Sequence, residues 1–524
     1  MLSVQRARCA FVCALAGLSL LGSVAFAAPA GSNSRHLEML QRQQSTSLLT
    51  DTQSNVLNFR GPQSEELARA PHRSMSVIWQ MRFGGGEGVA LALLDAAHDS
   101  VPPADTSWDE PNLPHAFAIA FDARNPPTEN PFNADGNIYN RPQHEISLHW
   151  NGLEIANRLS PRDFRGDAWH TIHVNLGFVV GGANLSVSVD GVAAYQDYFV
   201  AGLQPFAARA VLGARAGQTK GQCEVRDIVL NCGPRVTVDA PLHLAALDKQ
   251  VVKEKVPSQS NMVDFPTDTR QYGRIILTLT LSEPPGGFDP WDRRAAIYLY
   301  DDKGERFELL RFITPYRRGY TWRADVSDFR PLLTGRKKVE AWCETYGPGY
   351  AVSVDFDFYQ GAAPLYAYKV VNLWHGDPEI GNPAQPISAF FKPVSIAREG
   401  ADALKLRVVT TGHGMEPNAG NAAEFLPIGR NVTLNGHRWD NTLWKTDNYL
   451  NPCRPQGGTW KYDRAGWGPG DVVVPWSVDL TPALTSKGDS LLRYTLAPYA
   501  NPTRKPDFPP SHWFESQLIF YRKG

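Results

Sequence analysis

The sequence predicts an all-β protein built from several sandwiches. Short runs that alternate apolar and polar residues recur over most of the chain, and a period of two is typical of half-buried strands. Helix signals are few, and Gly, Pro and Asn turns separate the runs at short spacing, as expected of β-sandwiches. With 524 residues the chain is also too long for one ordinary core, so we expect several domains.

The start of the chain has the form of a secretory signal. Arg6 and Arg8 supply positive charge, residues 9–24 are apolar, and 25–27 read Ala-Phe-Ala, a small-x-small cleavage site. We therefore predict a signal peptide over 1–27 and a secreted or periplasmic protein. The apolar run is too short to span a bilayer, so we expect no membrane association after cleavage.

A polar leader rich in Gln, Ser and Arg is predicted over 28–72, followed by a β-sandwich over 73–235. Residues 76–81 and 185–191 alternate as half-buried strands do, and Asp190-Gly191 is a typical hairpin turn. This spacing of strands and turns indicates a single sandwich in the region.

The region 73–235 resembles the concanavalin-type jelly roll of the lectin-like families. The resemblance lies in 118–122, Ala-Ile-Ala-Phe-Asp, and in 168–174, Ala-Trp-His-Thr-Ile-His-Val. It implies calcium ligands at Asp122 and Asn125. The alternative is that Asp122 ends a strand and caps a turn. We favour the second interpretation and expect no metal.

The second half of the chain carries three short segments that each place one acid beside an aromatic or arginine residue. They are Pro-Trp-Asp-Arg at 290–293, Cys-Glu-Thr-Tyr at 343–346 and Ala-Ala-Glu-Phe at 422–425. Together with the stretches 311–316 and 463–470, and in this order, they resemble the peptide-N-glycosidase F family. The resemblance runs from about residue 245 to the end of the chain.

The family resemblance implies two antiparallel jelly rolls packed side by side, at 236–365 and 366–524, with the active site in the cleft between them. It also implies hydrolysis of the amide between an Asn side chain and the innermost GlcNAc of an N-linked glycan. Asp292 and Glu344 match catalytic acids of the first jelly roll, and Glu424 matches one in the second.

The resemblance implies a role for each matching residue. Asp292 is expected to act as the base or to position the water, Glu424 to relay a proton, and Glu344 to orient the substrate. Arg293 and Arg464 match family arginines that restrain the charge of the acids or stabilise an oxyanion. The expected substrate contacts are at Trp291, Tyr346, Phe425 and His413.

Four cysteines follow the predicted signal, and an exported protein can form disulfides. Cys223 and Cys232 flank a strand-like run, so they are a candidate disulfide. The state of Cys343 and Cys453 stays open. By the family resemblance, Cys453 lacks its expected partner, because Gly468 stands at that position.

Composition narrows the function classes. A formal net charge of −1 without a basic block makes nucleic acid an unexpected partner. Copper-dependent peptide monooxygenases share the double jelly roll, and His413-Gly-Met415 has their local ligand form. The paired histidines that they also need are missing, so we expect no cofactor.

The sequence leaves one further alternative. A secreted glycan-binding protein with an inactive amidase-like module would keep the same sandwiches and the same aromatic residues. We favour a monomeric enzyme that acts on N-glycoproteins and N-glycopeptides, because all three acids are retained.

Overall fold

The computed structural model describes residues 47–49, 56–98, 102, 106–123, 144–215, 222–414, 423–484, 490–501 and 509–524. The predicted signal peptide, most of the predicted leader, and the residues Asn125 and Met415 lie outside these ranges. Among the described residues, no helix is long and apolar enough to cross a membrane.

The N-terminal part is a sandwich of two antiparallel sheets. Within the described residues their strand orders are β1-β12-β3-β8-β9-β10 and β2-β11-β4-β5-β6-β7. The strands are β1 Ser47–Leu49, β2 Val56–Asn58, β3 Ser74–Gly84, β4 Gly88–Asp95, β5 Ala116–Asp122, β6 Glu145–Trp150, β7 Leu153–Leu159, β8 Gly166–Val179, β9 Gly182–Val189, β10 Val192–Ala201, β11 Ala208–Arg215 and β12 Gln222–Cys232.

The alternation seen in the sequence fills the core of this sandwich. Along β3 every second residue is buried, including Val77, Trp79 and Met81. These side chains pack against the facing sheet, where Phe121 meets Trp79 edge to face at 5.7 Å between ring centroids. The predicted leader also contributes structure, because β2 pairs with β11 and a helix, α1 Pro62–Arg69, follows it.

The middle of the chain forms the first jelly roll, again with two antiparallel sheets. Their orders are β13-β20-β15-β18 and β14-β19-β16-β17-β26, as far as the chain is described. The strands are β13 Leu242–Val252, β14 Ser258–Phe265, β15 Tyr272–Ser282, β16 Arg294–Tyr300, β17 Arg306–Ile313, β18 Tyr320–Asp325, β19 Gly335–Cys343 and β20 Tyr350–Gln360.

The C-terminal part forms the second jelly roll, with described strand orders β21-β29-β23-β27 and β22-β28-β24-β25. Strand β26 leaves it to pair with β17, where Val472 is opposite Phe312. The strands are β21 Leu365–Gly376, β22 Val394–Ile396, β23 Ala403–His413, β24 Ile428–Leu434, β25 His437–Leu443, β26 Asp471–Val472, β27 Trp476–Asp479, β28 Ser490–Leu496 and β29 Ser511–Lys523. The prediction of an all-β protein is confirmed.

A buried ion pair lies where the two jelly rolls meet. Arg311 donates to Glu308 at 2.7 Å, and both side chains are fully buried. The Arg311 guanidinium also lies 3.6 Å from the ring centroid of Trp513 and donates to the backbone carbonyl of that residue. Removing one member of such a pair costs roughly 3–5 kcal/mol, so this contact holds the two jelly rolls in one arrangement.

The predicted disulfide between Cys223 and Cys232 is wrong. Both residues lie on β12, at opposite ends of one extended strand, and both are free thiols. Nine residues at about 3.3 Å each separate them by roughly 30 Å. A disulfide needs Cα atoms within about 7 Å. Flanking a strand therefore keeps two cysteines apart instead of pairing them.

We predict that Cys223, Cys232, Cys343 and Cys453 all react with iodoacetamide in denaturant without reductant, because all four are free. In the folded protein the reaction should be slow, since burial raises the pKa of Cys223 to about 12 and that of Cys232 to about 11. Peptide mass spectrometry with and without prior reduction checks this. A peptide pair that appears only before reduction would contradict it.

Candidate active site

A buried aspartate shapes the loop that carries Asp292. Asp289 is fully buried and accepts hydrogen bonds from the backbone N–H of Trp291 at 2.9 Å, from Nε of Arg293 at 3.0 Å and from the hydroxyl of Thr345 at 2.6 Å. These bonds fix the backbone on both sides of Asp292, just before β16 begins. The acid is therefore positioned by a rigid loop and not by a free turn.

Asp292 lies in a half-buried position beside several polar groups. Burial raises the pKa of its carboxyl above the usual aspartate range, and the positive charges of Arg464 and Arg293 oppose that rise. The hydroxyl of Tyr316 donates to the same carboxyl and also favours the ionised form. A carboxylate held in this way can act as a proton acceptor once it is ionised.

Glu424 comes from the second jelly roll and shares this environment. Burial raises the pKa of Glu424 to about 7; Arg464 opposes the rise, and the charge of Asp292 adds to it. The charge of Asp292 therefore acts on Glu424 across the two jelly rolls. The structure brings together Asp292, Glu424 and Arg464.

Arg464 is the cation shared by the two acids. Its side chain is almost wholly buried, and its Nε donates to Oε1 of Glu424 at 3.3 Å. The rest of the guanidinium donates to the carbonyl of Thr459 at 2.8 Å, to the hydroxyl of Thr459 at 2.8 Å and to the carbonyl of Tyr462 at 3.2 Å. Because protein atoms hold it on all sides, Arg464 is a fixed charge.

Glu344 has a different partner. Arg294 donates to both of its oxygens, at 2.6 and 3.1 Å, and also to Asp377 from the second jelly roll. The hydroxyl of Tyr346 donates to Glu344 at 3.2 Å. This bidentate ion pair fixes the position and orientation of the Glu344 carboxylate.

Two large aromatic rings are exposed beside these acids. Trp291 is 59% exposed and Tyr346 is 66% exposed, which is unusual for rings of this size. Arg293 lies over the Tyr346 ring, 5.0 Å from its centroid. Phe425 is half-buried and packs against Arg464, whose guanidinium lies 5.1 Å from the ring centroid. An apolar surface therefore borders the acids.

Comparison with known proteins identifies relatives of this part of the chain. Residues 388–519 match the family described as peptide-N-glycosidase F, C terminal. The peptide-N(4)-(N-acetyl-beta-D-glucosaminyl)asparagine amidase F of Elizabethkingia miricola is 30% identical over 234 residues. Over these residues the chain is similar to the peptide-N-glycosidase F family. The resemblance predicted from the sequence is confirmed.

The matches cover only parts of the molecules compared. The aligned region is 41% of this chain and 65% of amidase F, which is less than two thirds of that protein. A crystal structure of the same kind of amidase is 24% identical, with a TM-score of 0.48, over 54% of this chain and 96% of that one. A structure of PNGF-II is 12% identical, with a TM-score of 0.43, over 86% and 98%.

His413 packs against Trp467 and Thr411. Its ring stacks on Trp467 at 5.2 Å and one ring nitrogen is 2.7 Å from the hydroxyl of Thr411. Burial and the nearby charge of Arg294 hold the pKa of His413 well below its usual range, so the ring is neutral. The described residues contain no group of three His, Cys, Asp or Glu side chains arranged to hold a metal.

Asp122 lies at the end of β5 near a cluster of charges in the N-terminal sandwich. Arg215 donates to both oxygens of Asp109, at 2.8 and 2.9 Å, and pairs with Glu87 at 3.3 Å. The charge of Asp122 also helps to stabilise the protonated form of Arg215. An arginine thus supplies positive charge close to the position where the lectin resemblance suggested a calcium ion.

Sequence analysis missed several residues that support the site. They share no motif, because most reach it from distant segments: Asp289, Arg294, Tyr316, Asp377 and Thr459. Only Asp289 carried a usable signal, since it lies three residues before Asp292 in Asp-Pro-Trp-Asp. The stretch containing Tyr316 helped to identify the family but gave no role for its hydroxyl.

We predict that Asp289→Ala lowers the free energy of unfolding by roughly 3–5 kcal/mol, because it leaves Arg293 without its buried partner. Asp268→Ala is the matched control. Its carboxylate pairs with the exposed Arg270, so the loss should stay below about 1 kcal/mol. Urea unfolding followed by tryptophan fluorescence measures both. Equal losses in the two variants would contradict the proposed role of Asp289.

Proposed function

We propose that the chain is a secreted amidase that hydrolyses the bond between the Asn side-chain amide and the innermost GlcNAc of N-linked glycans. The observation that carries this proposal is the pair Asp292 and Glu424, which comes from two jelly rolls and shares the fixed charge of Arg464. Similarity to the peptide-N-glycosidase F family and the activity of the amidase F relative support the same reaction.

The first step needs a base and a water molecule. Asp292 is ionised above its raised pKa and removes a proton from the water, whose oxygen then bonds to the amide carbonyl carbon. The hydroxyl of Tyr316 donates to the same carboxylate, which limits the orientations that this acid can take. A base positioned in this way contributes about 10²–10⁴-fold to the rate.

The carbonyl oxygen becomes negatively charged as the water attacks. Arg293 is the best-placed cation to stabilise it, because its Nε is committed to Asp289 while its guanidinium faces the exposed ring of Tyr346. Arg464 is less suited, since its donors are already bonded to Glu424, Thr459 and Tyr462.

The second step breaks the carbon–nitrogen bond. With a pKa of about 7, Glu424 carries a proton in a large fraction of molecules at neutral pH and can transfer it to the leaving nitrogen, directly or through a water. The glycan leaves as a glycosylamine, and the former Asn side chain becomes an Asp carboxylate. The proton that Asp292 took from the water is then transferred to Glu424, which returns to its protonated form, and Asp292 is again ionised.

Glu344 and the exposed rings suit substrate binding. Arg294 holds the Glu344 carboxylate in place, so its oxygens can accept hydrogen bonds from sugar hydroxyls. Trp291 and Tyr346 offer flat faces to the apolar faces of the sugar rings. The predicted signal peptide supports export, where N-glycoproteins and N-glycopeptides are available as substrates.

We predict that Asp292→Asn lowers the rate of glycan release by at least about 10²-fold and leaves glycan binding intact, because the amide cannot accept the proton. The assay is mass spectrometry of a defined N-glycopeptide after incubation with the protein. Release of the whole glycan with conversion of Asn to Asp is the expected result for the wild type. Asp268→Asn, an exposed acid of the same jelly roll, is the control and should keep full activity.

Two results would contradict the amidase. A sugar left on the Asn would indicate an endoglycosidase. A wild-type protein that binds the glycopeptide but releases nothing at any pH would favour the glycan-binding alternative, with the amidase-like module inactive.

We predict a bell-shaped pH dependence of kcat/KM. The acid limb follows Asp292, which must lose its proton, and its raised pKa places this limb above the usual aspartate range. The alkaline limb follows Glu424, which must keep its proton, so activity falls as pH rises through about 7. Glu424→Gln should remove most of the rate and the alkaline limb with it. Activity that keeps rising well above neutral pH would contradict this assignment.

A further inference from the structure

One arginine of the second jelly roll is buried among three acids of the N-terminal sandwich. The side chain of Arg454 is 2% exposed and donates to Glu110 at 2.8 Å, to Glu145 at 2.9 Å and to Glu154 at 2.9 Å. Tyr320 of the first jelly roll adds a hydrogen bond to the backbone carbonyl of Glu154. None of these groups takes part in the reaction described above.

The segment that carries Arg454 reaches the candidate active site within a few residues. Two residues on, Gln456 accepts a hydrogen bond from the backbone N–H of Tyr316 at 3.1 Å. Five residues on, Thr459 accepts two hydrogen bonds from Arg464, each at 2.8 Å. The residues from 454 to 464, called the anchor segment below, therefore contact the supports of both reacting acids.

Close packing makes the anchor segment and Tyr316 move together. Gly458 has a φ of +67°, and a Cβ atom placed on it would lie 2.6 Å from the Tyr316 ring. The hydroxyl of Tyr316 is also 3.4 Å from that of Thr459. A shift of the anchor segment would displace Tyr316 from Asp292 and Arg464 from Glu424, because interiors packed at this density transmit displacements.

We propose that the N-terminal sandwich is part of the catalytic scaffold, with Arg454 as the positioning residue that ties its three glutamates to Arg464 and Tyr316. This inference rests on the proposed amidase activity. It assigns the sandwich a role in the rate of the reaction, whether or not the sandwich also binds sugar.

A second contact between the sandwich and the rest of the molecule serves as a comparison. Arg274 of the first jelly roll lies 4.0 Å from the ring centroid of Phe199 on β10 and pairs with Asp325 at 3.4 Å. This contact joins the sandwich to the first jelly roll, and among the described residues neither Phe199 nor Asp325 forms a hydrogen bond, ion pair or ring contact with the anchor segment. Arg274→Gln is therefore the matched control.

The experiment compares Arg454→Gln, Arg454→Lys and Arg274→Gln in the full chain. For Arg454→Gln we expect kcat on the defined N-glycopeptide to fall about 10–100-fold, the cost of a small misplacement of catalytic groups, while KM changes little. Arg454→Lys keeps the charge and should recover part of kcat. Arg274→Gln should lower the melting temperature and leave kcat unchanged.

Hydrogen–deuterium exchange separates this inference from the proposed activity. Peptides that cover 456–464 should exchange faster in Arg454→Gln than in the wild type, and at the wild-type rate in Arg274→Gln. If the wild type releases no glycan, the proposed function fails, and exchange in this segment still tests the link to Arg454. Unchanged exchange together with unchanged kcat in Arg454→Gln would overturn the inference.

If Arg454→Gln does not fold, Glu110→Gln gives the milder test, since Glu110 is the most exposed of the three acids. It removes one charge and keeps a hydrogen-bond acceptor for Arg454. In Glu110→Gln we expect kcat to fall and exchange over 456–464 to become faster, as in Arg454→Gln, but by smaller amounts. Wild-type values for both would count against the proposed link.

Discussion

The site depends on one buried cation that two acids share. Arg464 is held by backbone and side-chain oxygens, so its charge stays fixed while Asp292 and Glu424 change protonation. Without that charge, burial would keep both acids neutral, and neither could act as a base. If the ion pair between Arg464 and Glu424 were stronger, Glu424 would stay ionised and could not supply a proton. The observed contact of Arg464 with Glu424, at 3.3 Å, lies between these two cases.

The three family acids show how environment separates residues of the same chemical type. Glu344 has a bidentate arginine partner, whereas Glu424 has a single contact with Arg464 at 3.3 Å and lies in a more buried place. The first arrangement fixes the position of a carboxylate, and in the second burial raises the pKa of Glu424 to about 7. Because these acids come from two jelly rolls, the buried pair of Arg311 with Glu308 also helps to preserve this difference.

The sequence predicted the parts of the molecule that depend on local patterns. Alternation located strands such as β3 and β9, and the motifs located Asp292, Glu344 and Glu424. Alternation and motifs extend over only a few neighbouring residues, so they could not reveal contacts between segments far apart in the sequence. Arg454 and Glu154 are 300 positions apart, and Arg294 and Asp377 are 83 apart. The error over Cys223 and Cys232 has the opposite origin, since nearness along an extended strand is not nearness in space.

The pairing of β26 with β17 links the order of synthesis to the completion of the fold. Val472 reaches Phe312 only after 160 further residues have been made, so the edge of β17 has no neighbour while the second jelly roll emerges. An open strand edge invites pairing with other chains. The first jelly roll is therefore most vulnerable to aggregation during folding, and its last strand is synthesised just after Arg464 and the other residues that complete the candidate active site.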